Sequence, residues 1–224
     1  MAGGGAGELA DRDMPWWVTT AAAAAPLLLI AGLMTAAELQ PPGFAAFSGT
    51  ISSLAGQGAN DSWVMTLTFA AVGGCEVVTG LALRAAALAG RAVLIGAGIC
   101  GLLVAAFPER LGGSSVHAFW AGWGFAGLVL WPVFAGRRGA SASADVPWAL
   151  RPGTCARVTV TLAALTVWFA AEQVTRGPTM GLAERTAGVA QTVWPLVVVL
   201  SCRRSPAEAG DFDFGPDGCE QSPG

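Results

Sequence analysis

Residues 63–83 read WVMTLTFAAVGGCEVVTGLAL, and this stretch decides the fold. A helix needs about 20 predominantly apolar residues to cross the hydrocarbon core of a bilayer. This run has that length and holds one charged residue, Glu76. It therefore reads as a membrane-spanning helix with an acid inside it.

Five further runs of the same kind flank it. They are Trp16–Leu39, with the block Ala21–Ile30; Ala92–Phe107, extended backward by Ala85–Gly90; Val116–Ala135; Val158–Val174; and Ala183–Cys202. The last two are near the short limit for a span. Pro15, Pro108, Pro132 and Pro195 fall at or near run ends, where membrane helices tolerate proline. The expected fold is all-α, a polytopic membrane bundle of six transmembrane helices over residues 15–204. Residues 1–14 are expected as a flexible tail. Residues 205–224 carry five acids and no base and are expected as a disordered acidic tail. The segment from Gly136 to Ala156 is rich in Ser, Ala and Pro and reads as a loop, with Trp148 touching the membrane surface.

Composition agrees. The 224 residues are 54% hydrophobic and 12% charged, where a soluble domain carries about 25% charged residues. Mean hydropathy is +0.57. Disorder needs low hydrophobicity and high charge, so it is excluded for the body of the chain. A net charge of -3 argues against nucleic acid as a partner. The expected location is the cell membrane, as a multi-pass protein in contact with membrane lipids.

All 12 basic residues are Arg. With the N-terminus inside, Arg12, Arg84, Arg91, Arg137, Arg138, Arg151, Arg157, Arg203 and Arg204 lie on the cytoplasmic side. Arg110, Arg176 and Arg185 lie outside, so the positive-inside rule puts both termini in the cytoplasm. Trp16, Trp17, Trp63 and Trp131 sit near run ends, as an interfacial aromatic belt requires. A cleavable signal is disfavoured, because the first run is too long and Glu8, Asp11 and Asp13 precede it.

The five cysteines form no C-x-x-C pair and His117 is the only histidine, so no metal site is expected. No cofactor is indicated either. Ser114-Ser115-Val116-His117 lacks the G-x-S-x-G elbow of a serine hydrolase. Gly96-Ala97-Gly98-Ile99-Cys100-Gly101 matches G-x-G-x-x-G, but it lies within an apolar run without a βαβ context. Close helix packing explains those glycines better.

Charged groups in a bilayer are costly and mark function by default. Glu76 must pair, hydrate or stay protonated, and a protonated acid in a dry pocket is a proton donor. A neutral Glu bonded to a neighbouring helix is the plainer alternative. Glu38, Asp61, Glu109, Arg110, His117, Glu172, Gln173, Glu184 and Arg185 converge on the outer face, as a vestibule or as a solvated rim. Trp120, Trp123 and Trp131 fall near one face of the fourth run with His117, and Trp168 and Trp194 lie within the last two. Aromatic faces stabilise cations, although packing and anchoring account for many such Trp.

The ordered pieces Ile51-Ser52-Ser53-Leu54-Ala55-Gly56, Trp63-Val64-Met65, Val78-Thr79-Gly80-Leu81-Ala82-Leu83-Arg84, Gly90-Arg91, Phe107-Pro108 before His117, Trp131-Pro132, Gly181-Leu182-Ala183-Glu184-Arg185 and Trp194-Pro195 form a recognisable series. The series resembles the prokaryotic membrane family named domain of unknown function 998, over about Trp16 to Arg204. That resemblance implies a helical membrane bundle and no particular reaction. A fainter resemblance is to small integral-membrane terpene cyclases of meroterpenoid pathways, which carry an essential Glu within a Trp-Glu pair and a second carboxylate in a later helix. Glu76 and Glu172 are the positions that map, although Cys75 stands where those enzymes have Trp.

Together these point to an in-membrane cyclase of an isoprenoid or lipid-like molecule. Glu76 would protonate an alkene or epoxide. Glu172 or Glu38 would complete the proton network. Trp120, Trp123, Trp168, Trp194 and His117 would line the substrate site. A pathway prenyltransferase is the expected partner enzyme. The alternative is a transporter subunit or lipid-binding protein using the outer polar cluster.

Overall fold

The computed structural model describes residues 14–42, 44, 47–110, 113–137 and 146–203. Both expected tails lie outside these residues, apart from Met14. Among the described residues the helices are α1 (Trp16–Glu38), α2 (Ile51–Leu54), α3 (Trp63–Ala82), α4 (Leu88–Ala106), α5 (Ser115–Ala135), α6 (Pro152–Thr175) and α7 (Met180–Arg203). All but α2 are long and apolar enough to cross a membrane. The protein is a multi-pass helical membrane protein.

The six long helices form a closed ring in chain order. α1 packs on α3, α3 on α4, α4 on α5, α5 on α6, α6 on α7, and α7 back on α1. The α2 turn lies over one end, touching α1 and α7. The other end carries both described chain termini, where Arg203 Nη2 donates to the Met14 carbonyl at 3.1 Å.

Local chemistry sets several helix ends. The Ser114 hydroxyl accepts from His117 N–H at 3.3 Å and starts α5. The Thr50 hydroxyl accepts from Ser53 N–H at 2.9 Å and starts α2. Both satisfy an orphan donor of a first turn. Pro152 opens α6, a position that needs no N–H. α6 therefore begins before the apolar run at Val158, because backbone geometry rather than hydropathy starts a helix. Pro195 lies inside α7, well short of its end at Arg203, and Pro26 lies inside α1. Neighbouring helices make such interior prolines tolerable in membranes.

The tightest crossing joins α3 and α4. A Cβ on Gly73 would stand 2.6 Å from the Gly98 carbonyl oxygen, and one on Gly98 would stand 2.6 Å from that of Gly73. Gly101 also packs on Gly73. Here backbone meets backbone, which only small residues allow. This is the role of the G-x-G-x-x-G stretch, and Gly98 and Gly101 perform it. Gly96 meets no such neighbour.

Two apolar clusters close the ends of the ring. One gathers Leu29, Leu33, Ile51, Leu54 and Met65 near α2. The other gathers Val18, Leu94, Trp131, Leu150 and Val198 at the terminal end. Trp131 is fully buried there and not part of an interfacial belt. Leu150 shares this cluster, and its carbonyl accepts from Arg137 N–H at 3.3 Å just past α5, a contact no hydropathy run reveals. Trp16, Trp17 and Trp63 are exposed at helix ends, as belt residues are.

α6 is the least embedded helix, burying only Cys155 and Leu162. Replacing Gly98 by Ala should destabilise the bundle by about 1–3 kcal/mol through overpacking. Gly96→Ala should be neutral or stabilising by up to about 1 kcal/mol. Unfolding midpoints in detergent measure both, and equal effects would show that the crossing is not tight.

Candidate functional site

Glu76 belongs to the α3 face formed by Phe69, Val72, Gly73 and Glu76, which follows helical spacing. The Gly73 crossing brings this face into the ring. Glu76 is 3% exposed. At about 1.5 Å per residue it lies roughly 20 Å below Trp63. Its carboxyl opens on a cavity of about 100 Å³, and its Oε1 is buried without a hydrogen-bond partner.

The cavity wall is mostly carbon. Leu29, Val72, Ala97, Val104, Phe125 and Leu128 supply it, and Trp120 adds an indole. Its polar members are few: Ser52, Glu76, Glu184, Gln191 and Thr192. Two of these, Glu184 and Gln191, share one stripe of α7 with Gly188. Glu184, Gly188 and Gln191 are spaced by four and three residues, the repeat of a single helix face.

Glu184 is the second buried acid of the cavity, also 3% exposed. Its carboxylate accepts from the Ile51 N–H at 2.6 Å and from the Ser52 hydroxyl at 3.2 Å. It thereby ties α2 to α7 and satisfies the donors of a short helix that would otherwise be orphaned. Gln191 lies deeper. Its Nε2 donates to the Thr166 hydroxyl at 2.9 Å, linking α7 to α6, while its Oε1 is buried without a partner. By helix rise, Gln191 is about 16 Å below Met180, close to the depth of Glu76. The cavity thus has a satisfied carboxylate near its α2 end and two unsatisfied oxygens at mid-depth.

The other residues singled out in the sequence fall elsewhere. Glu172 closes the α6–α7 turn, where its carboxylate accepts from Thr179 N–H at 3.0 Å. It does not line the cavity. Glu38 is exposed at the end of α1. Neither acid stands with Glu76; the partner acid of the cavity is Glu184. By sequence alone Glu184 belongs to the rim, because Arg185 adjoins it and the sixth apolar run begins at Ala183. The stripe Glu184, Gly188, Gln191 was the signal that could have found it.

His117 is buried, and its Nδ1 shares a 3.0 Å hydrogen bond with the Phe107 carbonyl. That contact joins the start of α5 to the end of α4. His117 Nε2 is buried without a partner, and the ring does not line the cavity. Trp123 is 60% exposed and packs edge-on against Phe119. Trp168 is half-buried outside the cavity wall. Trp194 meets Trp148 edge-to-face, with ring centroids 6.3 Å apart, in the terminal cluster. Of the four indoles expected at a substrate site, Trp120 alone reaches the cavity. Among the described residues, no three His, Cys, Asp or Glu side chains come together as metal ligands.

A family model described as Protein of unknown function (DUF998) matches residues 22–201. The matched span runs from within α1 to within α7 and includes every cavity residue. The chain belongs to this DUF998 family. No curated protein and no solved structure matches it. The family carries no assigned reaction, so the chemistry must be read from the cavity of this member.

Glu184→Ala should leave the Ile51 N–H without its acceptor and cost about 1–3 kcal/mol. Glu184→Gln keeps an acceptor oxygen and should cost less. Hydrogen exchange over residues 51–56 reads the difference directly. Unchanged protection in the Ala variant would contradict the latch.

Proposed function

We propose that this protein binds and acts on a hydrophobic small molecule inside the bilayer, with Glu76 as the acid. The observation that carries the reading is the Glu76 carboxyl, partnerless at Oε1, in a carbon-walled cavity. Burial of a polar atom without a partner costs free energy and persists where it serves a purpose. The chemistry that suits the arrangement is protonation-initiated cyclisation of an isoprenoid. The Glu76 O–H bond breaks and its proton adds to an alkene carbon or an epoxide oxygen. Substrate π electrons then close the ring on the resulting cation. A proton lost from a neighbouring carbon returns to the carboxylate, so the product is an isomer of the substrate. Trp120 and Phe125 line the cavity, and aromatic rings stabilise a nearby cation.

A cavity of about 100 Å³ is small beside the roughly 300–1,000 Å³ of ordinary ligand pockets. An isoprenoid therefore requires it to widen. At the α5–α7 seam the two helices touch little, and shallow-packed α6 lies across them. Entry from the lipid through that seam is part of the proposal. So is the location in the cell membrane with both termini cytoplasmic, which rests on the arginine bias.

The same small volume, together with a second acid at Glu184, supports a second reading. In it the protein carries or binds a lipid-like molecule without transforming it, and Glu76 and Glu184 exchange protons with it.

The test uses the full chain in proteoliposomes with 10,11-epoxyfarnesol as probe and gas chromatography–mass spectrometry as readout. Wild type should form a cyclic isomer of unchanged mass. Glu76→Gln should lower turnover by at least about 100-fold, the usual contribution of a general acid. Glu172→Gln and Glu38→Gln should stay within about threefold of wild type, because neither side chain lines the cavity. Full turnover by Glu76→Gln would sink the cyclase reading. Probe binding without conversion, if weakened by the same substitution, would favour the second.

A further inference from the structure

The terminal end of the bundle holds a second concavity, separate from the Glu76 cavity. It has a volume of about 590 Å³ and lies between the α3–α4 connection, the first turn of α4 and the end of α5. Arg84, Arg91 and Arg137 line it, and no acidic side chain does among the described residues. Three like charges around one hollow repel each other unless an anion lies between them.

Two of the three are held in place by backbone. Arg91 donates from Nε to the Gly80 carbonyl at 3.0 Å and from Nη2 to the Leu81 carbonyl at 2.5 Å. Arg137 donates from Nε to the Ala85 carbonyl at 2.8 Å and from Nη2 to the Arg84 carbonyl at 3.3 Å. These bonds satisfy carbonyls at the end of α3 and in the turn that follows, and they fix both guanidinium planes. A guanidinium carries five donors, so each keeps N–H groups in reserve. A purely structural role accounts for these two. It does not account for Arg84, whose exposed side chain bonds no described residue.

The surroundings add two features. α4 starts at Leu88 after Ala87, which offers no side-chain cap, so the positive end of a long helix borders the hollow. Leu81, Leu88 and Phe134 are exposed apolar side chains at the same level, where spanning helices meet the headgroup layer. Fixed guanidinium forks beside a lipid-facing apolar rim match a phosphate attached to acyl chains.

We propose that Arg84, Arg91 and Arg137 form a phosphate-binding site at the membrane interface, suited to the headgroup of an anionic lipid. The site is independent of Glu76 and of any chemistry in the bundle.

The experiment uses the purified full chain in dodecyl maltoside and follows thermal unfolding and native mass spectra. The probes are phosphatidylglycerol, phosphatidylcholine and inorganic phosphate. Phosphatidylglycerol should bind saturably and raise the unfolding temperature more than phosphatidylcholine does. Arg84→Gln should leave the unliganded unfolding temperature unchanged and weaken phosphatidylglycerol binding about five- to tenfold, as loss of one interfacial cation predicts. Arg84→Lys should recover most of it. Stabilisation by the lipid and not by inorganic phosphate assigns the site to a headgroup; competition between the two assigns it to free phosphate. Equal binding of both lipids with no effect of inorganic phosphate would overturn the proposal, as would full binding by Arg84→Gln.

Discussion

The contact between Gly73 on α3 and Gly98 on α4 is the constraint on which the rest of the bundle depends. Within a bilayer the hydrophobic effect offers helices little reason to associate, so close van der Waals packing must do it. At this crossing an added Cβ on either glycine would stand 2.6 Å from the carbonyl oxygen of the other. Gly73 lies one helical turn before Glu76. The approach that lets the backbones meet therefore turns the Glu76 side chain inward, away from lipid. Gly73 and Gly101 also form part of the cavity wall. One crossing positions the acid and shapes the hollow around it.

Polar groups follow from the same economy of space. A polar group in hydrocarbon must find a partner inside the protein. Glu184 does so through Ile51 and Ser52, and Gln191 does so on its amide side through Thr166. The oxygens left over, Glu76 Oε1 and Gln191 Oε1, belong to residues lining one cavity from facing helices. Orphaned oxygens at similar depth are what a hydroxyl, an acid proton or water would satisfy. At the terminal end the relation is reversed. There, arginines answer backbone carbonyls and leave donors over. The bundle thus carries an acceptor-rich interior and a donor-rich rim.

Much of the architecture was legible in the chain. Runs such as residues 63–83 announce spans because length and apolarity are local properties. The role of Gly98 was legible too, because small residues within a span have few other uses. The candidate site was only half legible. Glu76 stands out as the one acid deep in a run. Glu184 was hidden by adjacent Arg185 and by its place near the end of a span, where acids are ordinarily solvated. Glu172 looked equivalent to it by position, yet Thr179 draws its carboxylate into a turn. Trp131 looks like a belt residue, yet it lies buried in the terminal cluster with Val18, Leu150 and Val198. In each case the deciding contact lies many residues away, where no local pattern records it.

The sequence by itself determined that this is a membrane protein of six spans with a single acid deep within them, and which family it belongs to. Hydropathy, charge bias and motif order suffice for that, because partitioning between water and lipid acts on each segment separately. Only the tertiary structure decided which residues share a cavity with Glu76. It chose Glu184, Gln191 and Trp120 and left Glu38, Glu172, His117, Trp123, Trp168 and Trp194 outside. It also gathered Arg84, Arg91 and Arg137 around one hollow. Those choices depend on how each helix is rotated about its axis. Rotation is set by which small residues let backbones touch and by which partners satisfy the buried polar groups, and both are properties of pairs of helices.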